Sequence, residues 1–361
     1  MARLRAVAIL LSVALLASAG CTGCTNTGPG GPKGGGEHPR LNGAGATFIY
    51  PMMTKWMKEY EQAKGIKVDY QSIGSGGGIK QMTAKTVDFG CSDGPMNDAQ
   101  LKEAHEQGGD VVHIPLVMGA VVPAYNLPSL KDKQLKFSGP VLADIFLGNI
   151  TQWNDPAIQK LNPGVELPGT KIVVVHRSDG SGTTYIFVDF LCKVSDEWEK
   201  KVGKATSVNW PTGLGEKGNE NVAGQVKRSE GAIGYIELTY AWQQKDKIQY
   251  GKAKNAENEF VLASPESVTK AADNFVAAKK VPDDLRYNLA NAPGKGSYPI
   301  AGTTWAFMYV NQKGNTAQGL KDFFTYVLTD GQKGCAELGY APLPESLAKM
   351  AQEKVKRVTV K

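Results

Sequence analysis

The chain is predicted to fold as an α/β protein of about two domains. Its 361 residues allow roughly two domains of about 150 residues each, with sizeable hydrophobic cores. From Leu41 onward, short runs of β-forming residues alternate with amphipathic helical patterns, which is typical of α/β folds. Hydrophobic residues make up 42% and charged residues 21% of the chain, which excludes a disordered protein or a coiled coil.

The strands and helices are predicted in chain order from periodicity and capping residues. Trp56 and Tyr60 recur at helical spacing, Asn97 and Ser138 are good N-caps, and Gly148 is a good helix end. The predicted strands are Lys67–Tyr70, Val87–Gly90, Val111–Val122, Lys171–His176, Gly231–Ile236 and Thr303–Val310. The predicted helices begin at Pro51, after Gly78, after Asn97, after Ser138, after Thr184, at Pro265, before Leu320 and near Pro344.

Residues 1–20 are interpreted as an export signal and not as part of the fold. Arg3 and Arg5 give a basic start, and the apolar run at 6–19 follows directly. This run is too short for a membrane-spanning helix, which needs about 20 apolar residues. The protein is therefore expected to work outside the cytoplasm.

Two processing routes fit the end of this signal. Residues 18–21 (Ser-Ala-Gly-Cys) fit a bacterial lipobox in which Cys21 becomes lipidated, whereas cleavage after Ala19 would leave a soluble periplasmic protein. Residues 21–40 are rich in Gly and Pro and contain no aliphatic or aromatic residue, which is typical of a flexible tether. We favour lipidation, because such a tether would hold the folded part near a membrane, on its periplasmic or cell-surface side.

The five cysteines make an odd count. Lipidation would leave four thiols, and their spacing assigns no disulfide, so a disulfide stays open beside the simpler interpretation of small buried thiols. The four are Cys24, Cys91, Cys192 and Cys335.

Charge and motifs exclude several function classes. The chain has 41 Lys and Arg against 35 Asp and Glu, a net charge of +6, and no basic run with interleaved aromatic residues, so no nucleic-acid partner is predicted. Rossmann and Walker A motifs are missing from the glycine runs. Of the four histidines, none has a spacing that supports a triad with Ser181, and no cluster of metal ligands stands out. No metal, cofactor or catalytic residue is predicted.

Four loops rich in Gly, Ser and Thr lead from strands into helices. Gly permits close backbone approach, the N-terminus of a helix offers free N–H groups and partial positive charge, and hydroxyls add further donors. The loops are Gly43–Phe48, Gly74–Gly78, Ser92–Gly94 and Asp179–Thr183. One such loop would be an ordinary turn, but four of them, with Arg177 beside the last, predict a site for a tetrahedral oxyanion.

These loops resemble those of the phosphate-binding proteins of bacterial phosphate ABC transporters, the PstS family. Similar segments recur at Asp144–Gly148, Ile150–Asn154, Trp210–Gly213 and Gly231–Tyr235, and the resemblance runs from about Leu41 to Ala341. It implies a class II periplasmic-binding-protein fold, in which two α/β lobes are joined by a two-strand hinge and the ligand lies in the cleft. The first lobe would comprise residues 41–118 and 299–361, and the second residues 119–298.

The same resemblance implies a monomeric receptor that is not an enzyme. The receptor would bind inorganic phosphate without a cofactor and deliver it to the permease subunits of an ABC transporter in the membrane. The implied phosphate ligands are Thr47, Phe48 (through its backbone N–H), Ser75, Asp93, Arg177, Ser181, Gly182 and Thr183. Cys91 and His176 depart from the family pattern, but neither replaces a ligand.

Asp93 is the unusual member of this set, because a carboxylate should repel an anion. Phosphate carries a proton near neutral pH, which Asp93 can accept in a charge-assisted hydrogen bond, whereas sulfate has no such proton. Arg177 would hold phosphate through its fork of donors, and Asp179 would pair with Arg177 and moderate its charge. A receptor for another oxyanion, such as arsenate, and an exported phosphatase or serine hydrolase are the alternatives.

Overall fold

Local capping groups set several helix ends at the predicted positions. The Asn97 side chain accepts from the Gln100 N–H, and the Gln100 side chain accepts in turn from the Asn97 N–H. Ser138 accepts from the backbone N–H of Val141, and Gly148 ends the same helix in the left-handed conformation with a φ of 80°. These helix bounds depend on residues a few positions apart, which is why the sequence predicts them.

The computed structural model describes residues 40–131, 133–278 and 281–361. The predicted signal peptide, Cys21, Cys24 and all of the tether except Arg40 lie outside these residues. The strands of the described chain are β1 (Leu41–Gly45), β2 (Val68–Ser72), β3 (Phe89–Ser92), β4 (Val111–Tyr125), β5 (Lys136–Phe137), β6 (Val173–Arg177), β7 (Leu214–Glu216), β8 (Ala232–Glu237), β9 (Gln249–Tyr250), β10 (Lys252–Lys254), β11 (Phe260–Val261), β12 (Ala301–Tyr309), β13 (Asn311–Gln312) and β14 (Thr359–Val360).

The helices alternate with these strands along the chain. They are α1 (Tyr50–Lys64), α2 (Ser75–Thr83), α3 (Asp98–Gly108), α4 (Gly139–Leu147), α5 (Pro156–Leu161), α6 (Gly182–Val194), α7 (Asp196–Lys201), α8 (Gly218–Arg228), α9 (Leu238–Gln243), α10 (Pro265–Ala278), α11 (Thr316–Leu328) and α12 (Glu345–Lys356). Short 3₁₀ turns lie at Pro128–Leu130, Asp330–Gly334 and Ala336–Leu338. Within the described ranges, every helix is too short or too polar to cross a bilayer.

Nine strands form one sheet in which two parallel groups flank an antiparallel pair. The strand order is β2-β1-β3-β12-β4-β8-β6-β7, and β9 pairs with the end of β4. β1 runs parallel to β2 and β3, and β6 runs parallel to β7 and β8. Between these groups, β12 and β4 pair antiparallel from Ala301 opposite Ala120 to Tyr309 opposite Val111. This is the α/β architecture that the sequence predicts.

All six predicted strands have slightly different bounds in the structure, and two of these differences have an identifiable cause. The strand predicted at Val87–Gly90 instead covers Phe89–Ser92, because the Asp88 carboxylate accepts the backbone N–H of Asn42, at 2.8 Å. The strand predicted to end at Val122 continues to Tyr125, since both β8 and β9 pair with its last residues. Both differences arise from contacts between distant parts of the chain.

The three described cysteines carry free thiols. Cys91 and Cys335 are buried and Cys192 is half-buried, so no disulfide joins any two of the three. Burial raises the pKa of the Cys335 thiol to about 12, which makes it an unreactive, apolar part of the core. The interpretation as buried thiols therefore holds for Cys91 and Cys335.

Candidate anion-binding site

The four donor-rich loops lie at the carboxyl ends of parallel strands. β1, β2, β3 and β6 each lead into one of them, and carboxyl ends of strands are the usual ligand sites of open α/β sheets. Two helices start within these loops, α2 at Ser75 and α6 at Gly182. Their first backbone N–H groups have no partner inside the helix, so they can donate to an anion.

The structure brings the eight predicted ligand residues together in one buried cluster. The most exposed of the titratable and hydroxyl side chains among them are only 2% exposed. The cluster contains Thr47, Phe48, Ser75, Asp93, Arg177, Ser181, Gly182 and Thr183. Their role in binding phosphate stays a prediction.

Hydrogen bonds join loops that are far apart in the sequence. The Gly182 N–H donates to Ser75 Oγ at 2.9 Å, and Arg177 Nη1 donates to Thr47 Oγ1 at 3.2 Å. A main-chain bond of 2.9 Å links the Gly76 N–H to the Gly180 carbonyl. A Cβ on Gly76 would lie 3.2 Å from the Gly180 Cα, so the close approach of the two loops favours glycine at both positions.

Arg177 is held by Asp179 through two parallel hydrogen bonds. Nε donates to Oδ1 at 2.7 Å and Nη2 donates to Oδ2 at 2.5 Å, while Oδ1 also accepts from the Gly218 N–H at 3.2 Å. Burial alone would raise the pKa of Asp179, but the hydrogen bonds and charge of Arg177 hold that pKa below its usual value. The pair fixes the guanidinium plane and leaves Nη1 directed at Thr47.

Asp93 is a buried carboxyl whose proton affinity is unusually high. Burial raises the pKa of Asp93 to about 7, although a hydrogen bond from Thr304 and the positive charge of Arg177 oppose the rise. Thr304 Oγ1 donates to Oδ1 at 2.6 Å. A carboxyl with such a pKa can accept a proton from a ligand near neutral pH.

The geometry around Ser181 supports neither a serine nucleophile nor a metal centre. Ser181 Oγ accepts from the Thr184 N–H at 3.0 Å as the N-cap of α6, and the nearby His176 bonds through Nδ1 to the Arg177 carbonyl at 3.0 Å. The His176 ring stacks on Trp210, with ring centroids 4.8 Å apart. Across the described ranges, no group of three or more His, Cys, Asp and Glu side chains is placed to hold a metal.

Sequence comparisons identify the family. A family model described as a PBP superfamily domain matches residues 28–331. The chain is 46% identical over 315 residues to the phosphate-binding protein PstS of Xylella fastidiosa (strain Temecula1), covering 87% of this chain and 84% of that protein. The chain belongs to the PstS family. A second PstS relative, from Methanocaldococcus jannaschii, is 37% identical over 372 aligned residues and covers 97% of this chain and 94% of its own.

The fold of this PstS-family member agrees with that of a solved structure. A high-affinity periplasmic phosphate-binding protein, PfluDING, bound with phosphate, is similar with a TM-score of 0.68. The match covers 87% of this chain and 93% of the other at 18% sequence identity, so it concerns the fold alone. The predicted α/β periplasmic-binding-protein fold and the predicted family are both confirmed.

Sequence analysis missed several residues that support the cluster in this PstS-family member. The Tyr240 and Tyr340 hydroxyls donate to the carbonyls of Thr47 and Phe48, each at 2.6 Å. Thr304 donates to Asp93, and the Asn219 side chain donates to the hydroxyls of Thr47 and Thr183. These residues lie far along the chain from their partners, and only Asn219 has a signal in the sequence. Asn219 is the second residue of α8, and a glycine-containing loop precedes it, as in the four loops that the sequence analysis describes.

Glu237 is a second fully buried carboxyl near the cluster. Burial raises its pKa well above the usual value, and its Oε2 accepts from the Thr239 N–H at 2.8 Å. The other oxygen, Oε1, has no hydrogen-bond partner among the described residues. A neutral, protonated side chain accounts for both observations, since burying an unpaired charge is costly.

Proposed function

We propose that this protein is an extracytoplasmic receptor that binds inorganic phosphate and delivers it to an ABC transporter permease for phosphate import. The observation that carries the proposal is the convergence of N–H and O–H donors and one guanidinium on a buried cluster with one proton-accepting carboxyl, Asp93. Relatives named phosphate-binding protein PstS support phosphate as the ligand. The receptor binds and releases phosphate unchanged and is not an enzyme.

In this proposal, eight residues replace the water shell of the ion. Four hydroxyls and two backbone N–H groups donate, the guanidinium of Arg177 adds charge, and Asp93 accepts the P–OH proton. The Gly182 N–H, which donates to Ser75 Oγ in this structure, would donate to the ion instead. The donating residues are Thr47, Phe48, Ser75, Ser181, Gly182 and Thr183. A buried anion without such partners would lose several kcal/mol of solvation, so a full set of donors is what makes binding favourable.

Native mass spectrometry and calorimetric titration test this function. We expect one phosphate per chain and binding of sulfate that is weaker by about 100-fold or more, because sulfate has no proton for Asp93. Arg177→Lys should weaken phosphate binding about tenfold or more, since lysine cannot form the two parallel hydrogen bonds to Asp179 that fix the guanidinium in the cluster. Arg228→Lys, at an exposed position, is the matched control and should bind as wild type.

Two results would contradict the proposal. One is the absence of both bound phosphate and heat of binding in the wild-type protein. The other is hydrolysis of a chromogenic phosphate ester, which would support the alternative of an exported phosphatase.

We also infer that two lobes close over the ligand, with residues 41–118 and 299–361 in one and 119–298 in the other. The support is the position of β4 and β12, which pair with each other between the two parallel groups of strands. A two-strand connection of this kind allows hinge closure. Small-angle scattering should give a smaller radius of gyration with phosphate than without it, and an unchanged radius would contradict closure.

Membrane attachment through a lipid on Cys21 completes the proposal. The support is the basic and apolar start of the chain, the Ser-Ala-Gly-Cys sequence at 18–21 and the Gly- and Pro-rich tether at 21–40. A receptor attached in this way would act as a monomer beside the permease.

A further inference from the structure

Asn219 is fully buried at the start of α8, between two of the proposed phosphate ligands. Its Nδ2 donates to Thr47 Oγ1 at 2.8 Å and to Thr183 Oγ1 at 3.0 Å. Its backbone N–H also donates to Thr47 Oγ1, at 3.2 Å, and its Oδ1 accepts from the Glu237 N–H at 3.0 Å. Every hydrogen-bonding group of this side chain therefore has a partner.

The contact with Glu237 determines which way the amide of Asn219 faces. A backbone N–H can only donate, so the atom opposite the Glu237 N–H must be the amide oxygen. The NH₂ group must then face the two threonine hydroxyls, and in both contacts the hydroxyl oxygen is the acceptor.

This arrangement directs the protons of both hydroxyls. A threonine hydroxyl has one proton to donate and two lone pairs that accept. Three N–H donors face Thr47 Oγ1, namely the backbone and side chain of Asn219 and Nη1 of Arg177, and they share its two lone pairs. With both lone pairs engaged, this hydroxyl can serve a further group only as a donor. Among the described residues, neither the Thr47 nor the Thr183 hydroxyl donates a hydrogen bond, so both protons are available to an anion.

We propose that Asn219 is a positioning residue that makes Thr47 and Thr183 dedicated donors to the bound anion. The inference rests on the proposed phosphate function. Its physical basis is that a hydroxyl held as an acceptor by Asn219 presents its proton to the ligand without reorientation on binding. Thr47 and Thr183 fall in different proposed lobes, so the single amide would also join these two lobes.

Asn219→Asp tests this inference with little change in shape. The remaining Oδ1 still accepts from the Glu237 N–H, but a carboxylate oxygen replaces the NH₂ group and accepts the two hydroxyl protons. Calorimetry should show phosphate affinity about 100-fold or more below wild type, because two donors are lost and a charge of the same sign is added. Asn221→Asp makes the same change at an exposed position of α8, where the amide donates to the Lys217 carbonyl, and should bind within about twofold of wild type.

A double-mutant cycle separates positioning from a structural role. Asn219→Ala should lower phosphate affinity about tenfold, and this loss should largely disappear when Thr47 and Thr183 are both changed to Val. An equal loss in both backgrounds would mean that Asn219 does not act through the hydroxyls, and would overturn the inference. Thermal unfolding of each variant confirms that it is folded.

The remaining outcomes also decide the question. Wild-type affinity in a folded Asn219→Asp or Asn219→Ala variant overturns the inference and leaves the phosphate function intact. Failure of both variants to fold would assign Asn219 a structural role, which also overturns it. Absence of phosphate binding by the wild-type protein overturns the proposed function and the inference together.

Discussion

In the proposed phosphate site, Asp93 is the side chain that would select among anions of similar size. Its carboxyl is buried, its pKa is raised to about 7, and Thr304 holds one of its oxygens at 2.6 Å. In the proposed site the second oxygen faces the phosphate, and when ionised it can accept a hydrogen bond but has no proton to give. An anion that brings its own proton gains a hydrogen bond there, whereas one without a proton meets a like charge.

Asp93→Asn should therefore change selectivity more than it changes phosphate affinity. The amide carbonyl can still accept the P–OH proton, so phosphate affinity should fall only moderately, whereas sulfate no longer meets a negative charge. Calorimetric titration with both anions should show a phosphate-to-sulfate affinity ratio reduced by about tenfold or more. An unchanged ratio would show that Asp93 is not the discriminating residue.

The raised pKa of Asp93 also predicts how stability depends on pH in phosphate-free buffer. The folded protein holds this proton up to a pH of about 7, whereas an unfolded chain releases it near the ordinary pKa of an aspartate, 3.8. Stability should thus fall as pH rises through this window, by at most about 1.4 kcal/mol per pH unit from this group. Asparagine does not titrate, so the unfolding free energy of Asp93→Asn should not share this fall. In urea unfolding, the unfolding free energy of the variant minus that of wild type should increase as pH rises through the window and stay constant above it. A constant difference would contradict the assigned pKa.

Among the elements, the entry to α2 depends on a glycine that no other residue can replace without moving Asp179. Gly74 has a φ of 84°, and a Cβ there would collide with Asp179 Oδ2 and lie 2.9 Å from the Gly180 carbonyl oxygen. Gly74→Ala should displace Asp179 from Arg177 and lower phosphate affinity about tenfold or more. Calorimetry of the variant provides the measurement.

Gly65→Ala is the matched control for this element. Gly65 ends α1 with a φ of 69°, but a Cβ there meets no atom within 4 Å. This variant should lose about 1 kcal/mol of stability from the left-handed backbone and keep wild-type affinity. If the two variants bind phosphate equally well, the contact of Gly74 with Asp179 has no part in binding.

The elements also show what could be predicted from the sequence. The α3 cap and the donor-rich loops depend on residues close together in the chain, so local patterns predict them. Thr304 and Tyr340 contact partners 211 and 292 positions away, and nothing near them in sequence indicates those contacts. Asn219 follows a strand of only three residues, Leu214–Glu216, which is too short for a periodic signal.

For the whole molecule, the proposed lipid on Cys21 predicts where the protein is found. Cys21→Ala should release the protein from the membrane fraction or block its processing, because a lipid chain and not the folded part would provide the attachment. Metabolic labelling with a fatty-acid analogue should mark the wild type and not the variant. A soluble, unlabelled wild-type protein that begins at Gly20 would support cleavage after Ala19 instead.

The main-chain hydrogen bond from Gly76 to Gly180 has a kinetic consequence. In the proposed site, an ion enclosed by buried residues would leave after these two loops separate, and this step breaks the same backbone contact whichever ion is inside. Tightly held ions would then share one escape rate set by loop separation. Phosphate and arsenate should show similar residence times in stopped-flow experiments, so that the timing of delivery is a property of the polypeptide backbone and not of the cargo.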